Sequence, residues 1–144
     1  MHSQRRLHGS CVSRDGDAIL LLGPSGSGKS DLVLRLLSQG FELVADDQVT
    51  IADGYVSGPP ELAGLLEVRG LGIVRLPHCN RARLVLVVEL GERSDRMPMP
   101  NRHAELDVPV VRIDAKAASA PDRVALALAC ATGRVSQVAG AFAA

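Results

Sequence analysis

The chain has 144 residues, of which 47% are apolar, and its 16 basic residues equal its 16 acidic residues in number. This length and composition predict one globular domain with a substantial core and exclude an intrinsically disordered chain. The balanced charge, with only two phenylalanines, one tyrosine and no tryptophan, provides neither a basic surface nor stacking platforms for bases. We therefore expect no nucleic-acid partner.

The sequence carries no signal for export or membrane insertion. No N-terminal apolar stretch resembles a signal peptide, and no apolar run approaches the ~18 residues that cross a bilayer. Cys11, Cys79 and Cys130 are scattered and lack the spacing of a metal site or a disulfide framework. These features predict a cytoplasmic protein with no membrane partner.

The first part of the chain predicts two tight antiparallel hairpins, because the pairs Asp15-Gly16 and Asp53-Gly54 each separate two apolar segments. The predicted strands are residues 7–13 with 18–22, and residues 48–52 with 55–56. Between the hairpins, residues 31–38 have helical apolar spacing and stop at Gly40, and residues 41–45 predict a strand. Antiparallel hairpins beside a phosphate-binding loop indicate a mixed sheet.

The second part predicts more strands and one further helix. Residues 65–76 are apolar but interrupted by two glycines, and residues 83–90 and 108–113 predict buried strands. Ser119, followed by Pro121, predicts the start of a helix that ends before Gly133. We expect an α/β domain over residues 1–133 and a C-terminal tail over residues 134–144 that is frayed or contacts another subunit.

The glycine-rich segment after the apolar run 18–22 matches the phosphate loop G-x-x-x-x-G-K-[ST]. Its backbone N–H groups surround anionic oxygens, its lysine supplies a charge for the β- and γ-phosphates, and its last serine can reach Mg²⁺. The predicted nucleotide-binding residues are Gly23, Pro24, Ser25, Gly26, Ser27, Gly28, Lys29 and Ser30.

Asp46 and Asp47 follow the predicted strand 41–45, about 17 residues beyond the phosphate loop. Two adjacent carboxylates at a strand end can supply a partner for Mg²⁺ and a proton acceptor in one place. The alternative is that they cap a turn into the next strand. The phosphate loop favours the functional interpretation.

Two weaker features complete the candidate site. Glu67 and Arg69 are predicted on one side of a strand that is followed by Gly70 and Gly72. They could place a carboxylate on a metal and a guanidinium on phosphate oxygens, or form an exposed ion pair before a bulge. His8 could be a structural histidine, but the first hairpin should bring its strand beside the one that leads into the phosphate loop.

Together these segments resemble the catalytic domain of the HPr kinase/phosphorylase family. The resemblance rests on His8-Gly9, residues 23–30, residues 43–47 and residues 66–73, in that order, and covers roughly residues 5–90. It implies a phosphate-loop core related to phosphoenolpyruvate carboxykinase. It also implies phosphorylation of a serine of the phosphocarrier protein HPr, with ATP and Mg²⁺, in regulation of the phosphotransferase system, and in many members removal of that phosphate.

The resemblance also implies roles for individual residues. Lys29 matches the phosphate-binding lysine, and Ser30 and Glu67 match the Mg²⁺ ligands. Asp47 matches the catalytic acid/base, and His8 matches a histidine of the catalytic site that orients Asp47 or senses phosphate. Arg96 resembles an active-site arginine that clamps the charge of the γ-phosphate. The segment that resembles the family's signature contains Glu67, Arg69, Gly70 and Gly72.

Three departures from the family pattern shape these expectations. We expect a short single-domain form of the family, with no N-terminal domain ahead of the catalytic core. The arginine- and glycine-rich segment tied to dephosphorylation is not recognisable, and residues 111–116 stand in its place, so dephosphorylation stays open. The C-terminal helices that help to dock HPr are abbreviated. Many family members are hexamers, so a homo-oligomer is expected.

The main hypothesis is thus an ATP-dependent serine kinase of HPr or an HPr-like carrier. A small-metabolite kinase is an alternative, in which Arg93, Arg96 and Arg102 would form a lid over phosphate, although the sequence indicates no acceptor pocket. A second alternative is a non-catalytic nucleotide sensor whose oligomeric state depends on ATP.

Overall fold

The computed structural model describes residues 4–92 and 95–143. Its strands are β1 Gln4–His8, β2 Ser10–Arg14, β3 Asp17–Leu22, β4 Glu42–Ala45, β5 Gln48–Ala52, β6 Tyr55–Ser57, β7 Leu65–Val68, β8 Gly72–Arg75, β9 Arg81–Leu90 and β10 Val110–Ile113. The α-helices are α1 Lys29–Leu37 and α2 Ala120–Ala131, and residues Pro60–Leu62 form one turn of 3-10 helix.

The main sheet is mixed, as predicted. Its strand order is β1-β5-β6-β9-β3-β2-β4, with β10 beside the second half of β9. Only the pairs β3–β9 and β9–β10 are parallel among the described strands. Their carboxyl ends lie at one edge, where ligands of open α/β sheets bind.

Both predicted hairpins are present. Strands β2 and β3 pair through Asp15 and Gly16, which have φ values of 53° and 83°. Strands β5 and β6 pair through Asp53 and Gly54, at 54° and 80°. Positive φ at both central residues matches the right-handed twist of the flanking strands, which is why an Asp-Gly pair predicts a hairpin.

The core lies on both faces of β3. Ile19 and Leu21 point toward α1 and α2, whereas Ala18 and Leu20 pack in a second cluster with residues of β5 and β6. Cys11 belongs to that second cluster, where burial, and to a lesser degree the neighbouring Cys79, raises the pKa of its thiol far above the ordinary range. The thiol is therefore a neutral core group rather than a nucleophile.

The two helices are close to their predicted bounds. Helix α1 buries Leu32, Val33 and Leu36, each contributing about 1.5–3 kcal/mol of hydrophobic stabilisation. Helix α2 starts after Ser119, whose hydroxyl accepts a hydrogen bond from Arg123 Nε at 2.9 Å instead of capping the helix. None of the helices in the described residues is long and apolar enough to cross a membrane.

Residues after α2 form turns without regular secondary structure. Arg134 and Val135 donate backbone hydrogen bonds to the carbonyl of Ala129, and Phe142 packs against the main core. Val138, by contrast, is 98% exposed. Part of the predicted tail is thus attached to the domain.

Residues 65–76 form a separate two-stranded hairpin rather than one interrupted strand. Strand β7 pairs with β8 and packs on α1 through the buried Leu66. Leu71 and Ile73 are 74% and 69% exposed. The two glycines allow the turn, because Gly70 has a φ of 84° and Gly72 a φ of 128°.

The predicted strand 7–13 is divided at Gly9. Strand β1 pairs with β5, whereas β2 pairs with β3 and β4, so one segment of chain crosses between two positions in the sheet. A Cβ atom on Gly9 would lie 2.9 Å from Leu22 Cδ2 and 3.0 Å from the Leu21 carbonyl oxygen. A side chain at this position would crowd the Leu21 carbonyl oxygen and require the Leu22 side chain to move.

We predict that Gly9→Ala lowers the free energy of unfolding by about 1–3 kcal/mol, because the added methyl overpacks the crossing. Denaturant unfolding followed by circular dichroism measures the loss. At Gly16, where a Cβ would meet nothing within 4 Å, alanine costs only backbone strain of about 1–2 kcal/mol, which asparagine largely relieves. An unchanged unfolding midpoint for Gly9→Ala, or recovery with Gly9→Asn, would contradict the prediction.

Candidate active site

The phosphate loop joins the carboxyl end of β3 to α1, as the sequence predicts. A Cβ atom on Gly23 would lie 2.7 Å from Ser27 Oγ and 3.2 Å from Leu90 Cβ, so the loop closes tightly at its start. Gly28 is the N-cap of α1 with a φ of 95°, and no side chain caps the helix. No side chain therefore accepts hydrogen bonds from the first backbone N–H groups of α1, and these groups can donate to an anion instead.

Lys29 holds its ammonium group over the loop. Its Nζ donates hydrogen bonds to the carbonyl oxygens of Gly23 and, at 3.1 Å, Pro24. The side chain is only partly buried. A compact cation at this place can contact phosphate oxygens that enter the loop.

Ser30 contacts Asp46, which follows the end of β4. Ser30 Oγ donates to Asp46 Oδ1 at 2.9 Å and Oδ2 at 3.2 Å. A hydroxyl and a carboxylate are oxygen donors of the kind that Mg²⁺ takes, usually together with phosphate oxygens and water. No group of three or more His, Cys, Asp or Glu side chains forms a metal site within residues 4–92 and 95–143. The fit is thus to a cation shared with a nucleotide.

Asp47 differs from Asp46 in exposure and in backbone conformation. Its φ is 72°, and its carbonyl accepts a hydrogen bond from the Gly9 N–H at 3.0 Å. The carboxylate is exposed and makes no hydrogen bond or ion pair with a described residue. The two aspartates therefore have different environments: one is bound to the loop serine, and one is open to an incoming group.

His8 reaches the same region by a different route from the one predicted. It ends β1 and lies opposite Gln48 of β5, so its neighbour is not the strand that leads into the phosphate loop. Because Gly9 bonds to Asp47, His8 is nevertheless one residue from a direct contact with the acidic pair. Its side chain is exposed.

The signature segment lies on the β7–β8 hairpin. Glu67 is exposed on β7, opposite Ile73, and has no hydrogen bond or ion pair to any residue the structure describes. Arg69 lies beyond the end of β7, in the turn with Gly70, instead of on the same strand as Glu67. Gly72 begins β8. The structure does not join this segment to Ser30 or Asp46 by hydrogen bonds.

The candidate arginines lie between β9 and β10. Arg96 is exposed and unpaired with respect to the described residues. Arg102 donates from Nε to Asp107 Oδ1 at 2.9 Å, so it is already engaged on its own loop. Arg93 lies outside the described residues. Of the described arginines, Arg96 and Arg102 therefore do not meet in a lid of the kind that a small-metabolite kinase requires.

Two features of the site were missed in the sequence. Ser10, wholly buried at the start of β2, donates to Asp46 Oδ1 at 2.8 Å. Residues 114–117 lie against the phosphate loop, since a Cβ atom added to Gly28 would lie 3.3 Å from Ala115 Cβ. Arg35 of α1 also donates hydrogen bonds to the carbonyls of Ala115 and Ala117. No sequence motif predicts either set of contacts.

A cleft of about 390 Å³ opens beside Asp46. Its lining combines apolar residues of β4 and the 3-10 turn with the polar side chains of Ser57, His78 and Asn80. The sequence indicated no acceptor pocket, and this cleft offers room for part of an acceptor next to the acidic pair.

Comparison with known proteins identifies the family to which the chain is similar. Residues 1–117 match the family described as the HPr serine kinase C-terminal domain. The HPr kinase/phosphorylases of Burkholderia lata and Burkholderia cenocepacia are each 34% identical to the chain over 151 aligned positions, which cover 93% of the chain and 47% of the relative. The chain thus spans about half the length of these relatives.

A solved structure shares the fold. The HPr(Ser) kinase/phosphatase from Coxiella burnetii superposes with a TM-score of 0.71 and 22% sequence identity, covering 83% of this chain and 91% of that one. From the match over residues 1–117, the chain belongs to the HPr serine kinase C-terminal domain family.

Proposed function

We propose that the protein is an ATP- and Mg²⁺-dependent kinase that phosphorylates a serine of HPr or an HPr-like phosphocarrier protein. One observation carries the proposal: the phosphate-loop hydroxyl of Ser30 is hydrogen-bonded to Asp46, directly beside the open carboxylate of Asp47. Such a pair of carboxylates can divide metal binding and proton transfer between them.

Each residue then has a defined task in phosphoryl transfer. Lys29 and the loop amides would hold the phosphates, and Ser30 and Asp46 would hold a Mg²⁺, which when bound would neutralise phosphate charge. Asp47 accepts the proton of the serine hydroxyl as its oxygen bonds to the γ-phosphorus and the bond to the departing ADP oxygen breaks. In the reverse direction Asp47 would return that proton.

The more distant family positions are assigned on the resemblance and their exposure. We assign Glu67 as a further metal ligand and Arg96 as a clamp on transferring phosphate, both with side chains open to an incoming nucleotide. His8 is assigned to orient Asp47, because His8 directly precedes Gly9, whose N–H is hydrogen-bonded to the Asp47 carbonyl. A homo-oligomer and a cytoplasmic location, both expected from the sequence, belong to the same proposal.

We predict that the purified chain transfers phosphate from ATP to a serine of HPr in the presence of Mg²⁺. Mass spectrometry of the intact carrier and of its peptides detects one phosphoserine. Lys29→Ala serves as the control, because it removes the cation of the loop and should abolish transfer. Absence of a phosphoserine would refute the proposed substrate, and ATP-dependent phosphorylation of small metabolites instead would support the small-metabolite kinase.

We predict that Asp47→Asn reduces phosphoryl transfer at least 100-fold while ATP affinity changes less than about twofold, since the amide cannot accept the serine proton. Asparagine tolerates the positive φ of this position, so the backbone contact with Gly9 is retained. Initial rates and calorimetric ATP binding provide the two measurements.

Asp15→Asn is the matched control for this variant, because Asp15 also has a positive φ, 53°, but lies in the β2–β3 turn. It should leave both measurements unchanged. A parallel loss of ATP binding in Asp47→Asn would mean that Asp47 is a metal ligand or a folding residue and not the acid/base.

A further inference from the structure

Ser10 connects the two aspartates of the candidate active site. The residue begins β2, and none of its surface is exposed to solvent. Its Oγ donates to Asp46 Oδ1 at 2.8 Å and accepts a hydrogen bond from the backbone N–H of Asp47 at 3.3 Å. One buried hydroxyl thus contacts both acidic residues.

The first contact fixes the Asp46 carboxylate. Oδ1 accepts hydrogen bonds from two hydroxyls, Ser10 on one side and Ser30 at 2.9 Å on the other. Ser30 also contacts Oδ2 at 3.2 Å. Because Ser10 is held in a strand and Ser30 in a helix, the carboxylate is fixed between two rigid elements.

The second contact restrains Asp47. Its N–H is bonded to Ser10 and its carbonyl to the N–H of Gly9, so two consecutive residues hold the peptide groups on either side of its Cα. The φ of 72° at Asp47 is maintained by these two bonds.

We propose that Ser10 is a positioning residue, which orients the Asp46 carboxylate so that Asp46 and Ser30 together take Mg²⁺ with the nucleotide. Groups that hydrogen-bond a metal ligand typically change metal affinity 10- to 100-fold when they are removed. The inference rests on the proposed nucleotide-dependent function and concerns only its metal-assisted binding step.

Ser13 provides a matched comparison on the same strand. Its side chain is also buried, at 1% exposure, but its hydroxyl has no hydrogen-bond partner among the described residues. Ser13→Ala therefore removes a buried strand hydroxyl without touching the acidic pair.

The test is calorimetric binding of ATP to the full chain, once with Mg²⁺ and once with EDTA, for wild type and variants. In Ser10→Ala, the factor by which Mg²⁺ increases ATP affinity should be roughly tenfold smaller than in wild type. The ATP affinity in EDTA should equal that of wild type. Ser13→Ala should match wild type in both conditions. Ser10→Thr retains the hydroxyl and should keep most of the gain, which separates the hydrogen bonds from folding defects.

Two results would overturn the inference: a wild-type Mg²⁺ gain in Ser10→Ala, or an equal loss of ATP affinity with and without Mg²⁺. Loss of the gain in Ser10→Thr, at an unchanged melting temperature, would also count against it. If wild type shows the Mg²⁺ gain but does not phosphorylate HPr, the proposed substrate is wrong, and the binding comparison still decides the role of Ser10.

Discussion

The hydrogen bonds between Ser30 and Asp46 are the interaction on which the site depends. They join the first turn of α1, which follows β3, to the residue that follows β4. In the sheet, β2 lies between β3 and β4. A hydrogen bond to a charged group contributes about 1.5–3 kcal/mol when it is protected from water. Here its larger effect is geometric, because it sets the phosphate loop and the acidic pair in one fixed arrangement.

The arrangement arises from two different kinds of strand pairing. The parallel strands β3 and β9 deliver the phosphate loop at their carboxyl edge, whereas the antiparallel strands β2 and β4 deliver Ser10 and Asp46. The crossing at Gly9 allows one stretch of chain to serve both β1 and β2, and the two residues at the crossing, Gly9 and Ser10, make the hydrogen bonds to Asp46 and Asp47. A sheet made only of parallel strands would have no such segment.

The sequence was most informative where backbone chemistry leaves little choice. Asp-Gly pairs predict tight hairpins, and the glycine-rich loop predicts its own position between a strand and a helix. Side-chain pairing was not readable in the same way. Ser10 and Ser13 are similar residues on one strand, yet only Ser10 reaches Asp46. The difference depends on the antiparallel register of β2 and β4, which sets Ser13 opposite Glu42 at the start of β4 and Cys11 opposite Ala45 at its end. That register is a long-range property. His8 lies beside β5 instead of the strand that leads into the phosphate loop because the predicted strand is divided at Gly9. This is also a long-range property.

Helix α1 connects the phosphate loop to the signature hairpin. Its first turn carries Lys29 and Ser30, and its buried face packs against Leu66 of β7, next to the exposed Glu67. Since Leu32, Val33 and Leu36 are wholly buried, the helix cannot shift without opening the core, which is packed as densely as an organic crystal. Glu67 and Ser30 therefore sit on elements with one common support. Packing rather than hydrogen bonding thus sets the separation between the phosphate loop and the hairpin. In the proposed function, a nucleotide bound at the loop would bridge that separation, so Glu67 needs no direct contact with the acidic pair.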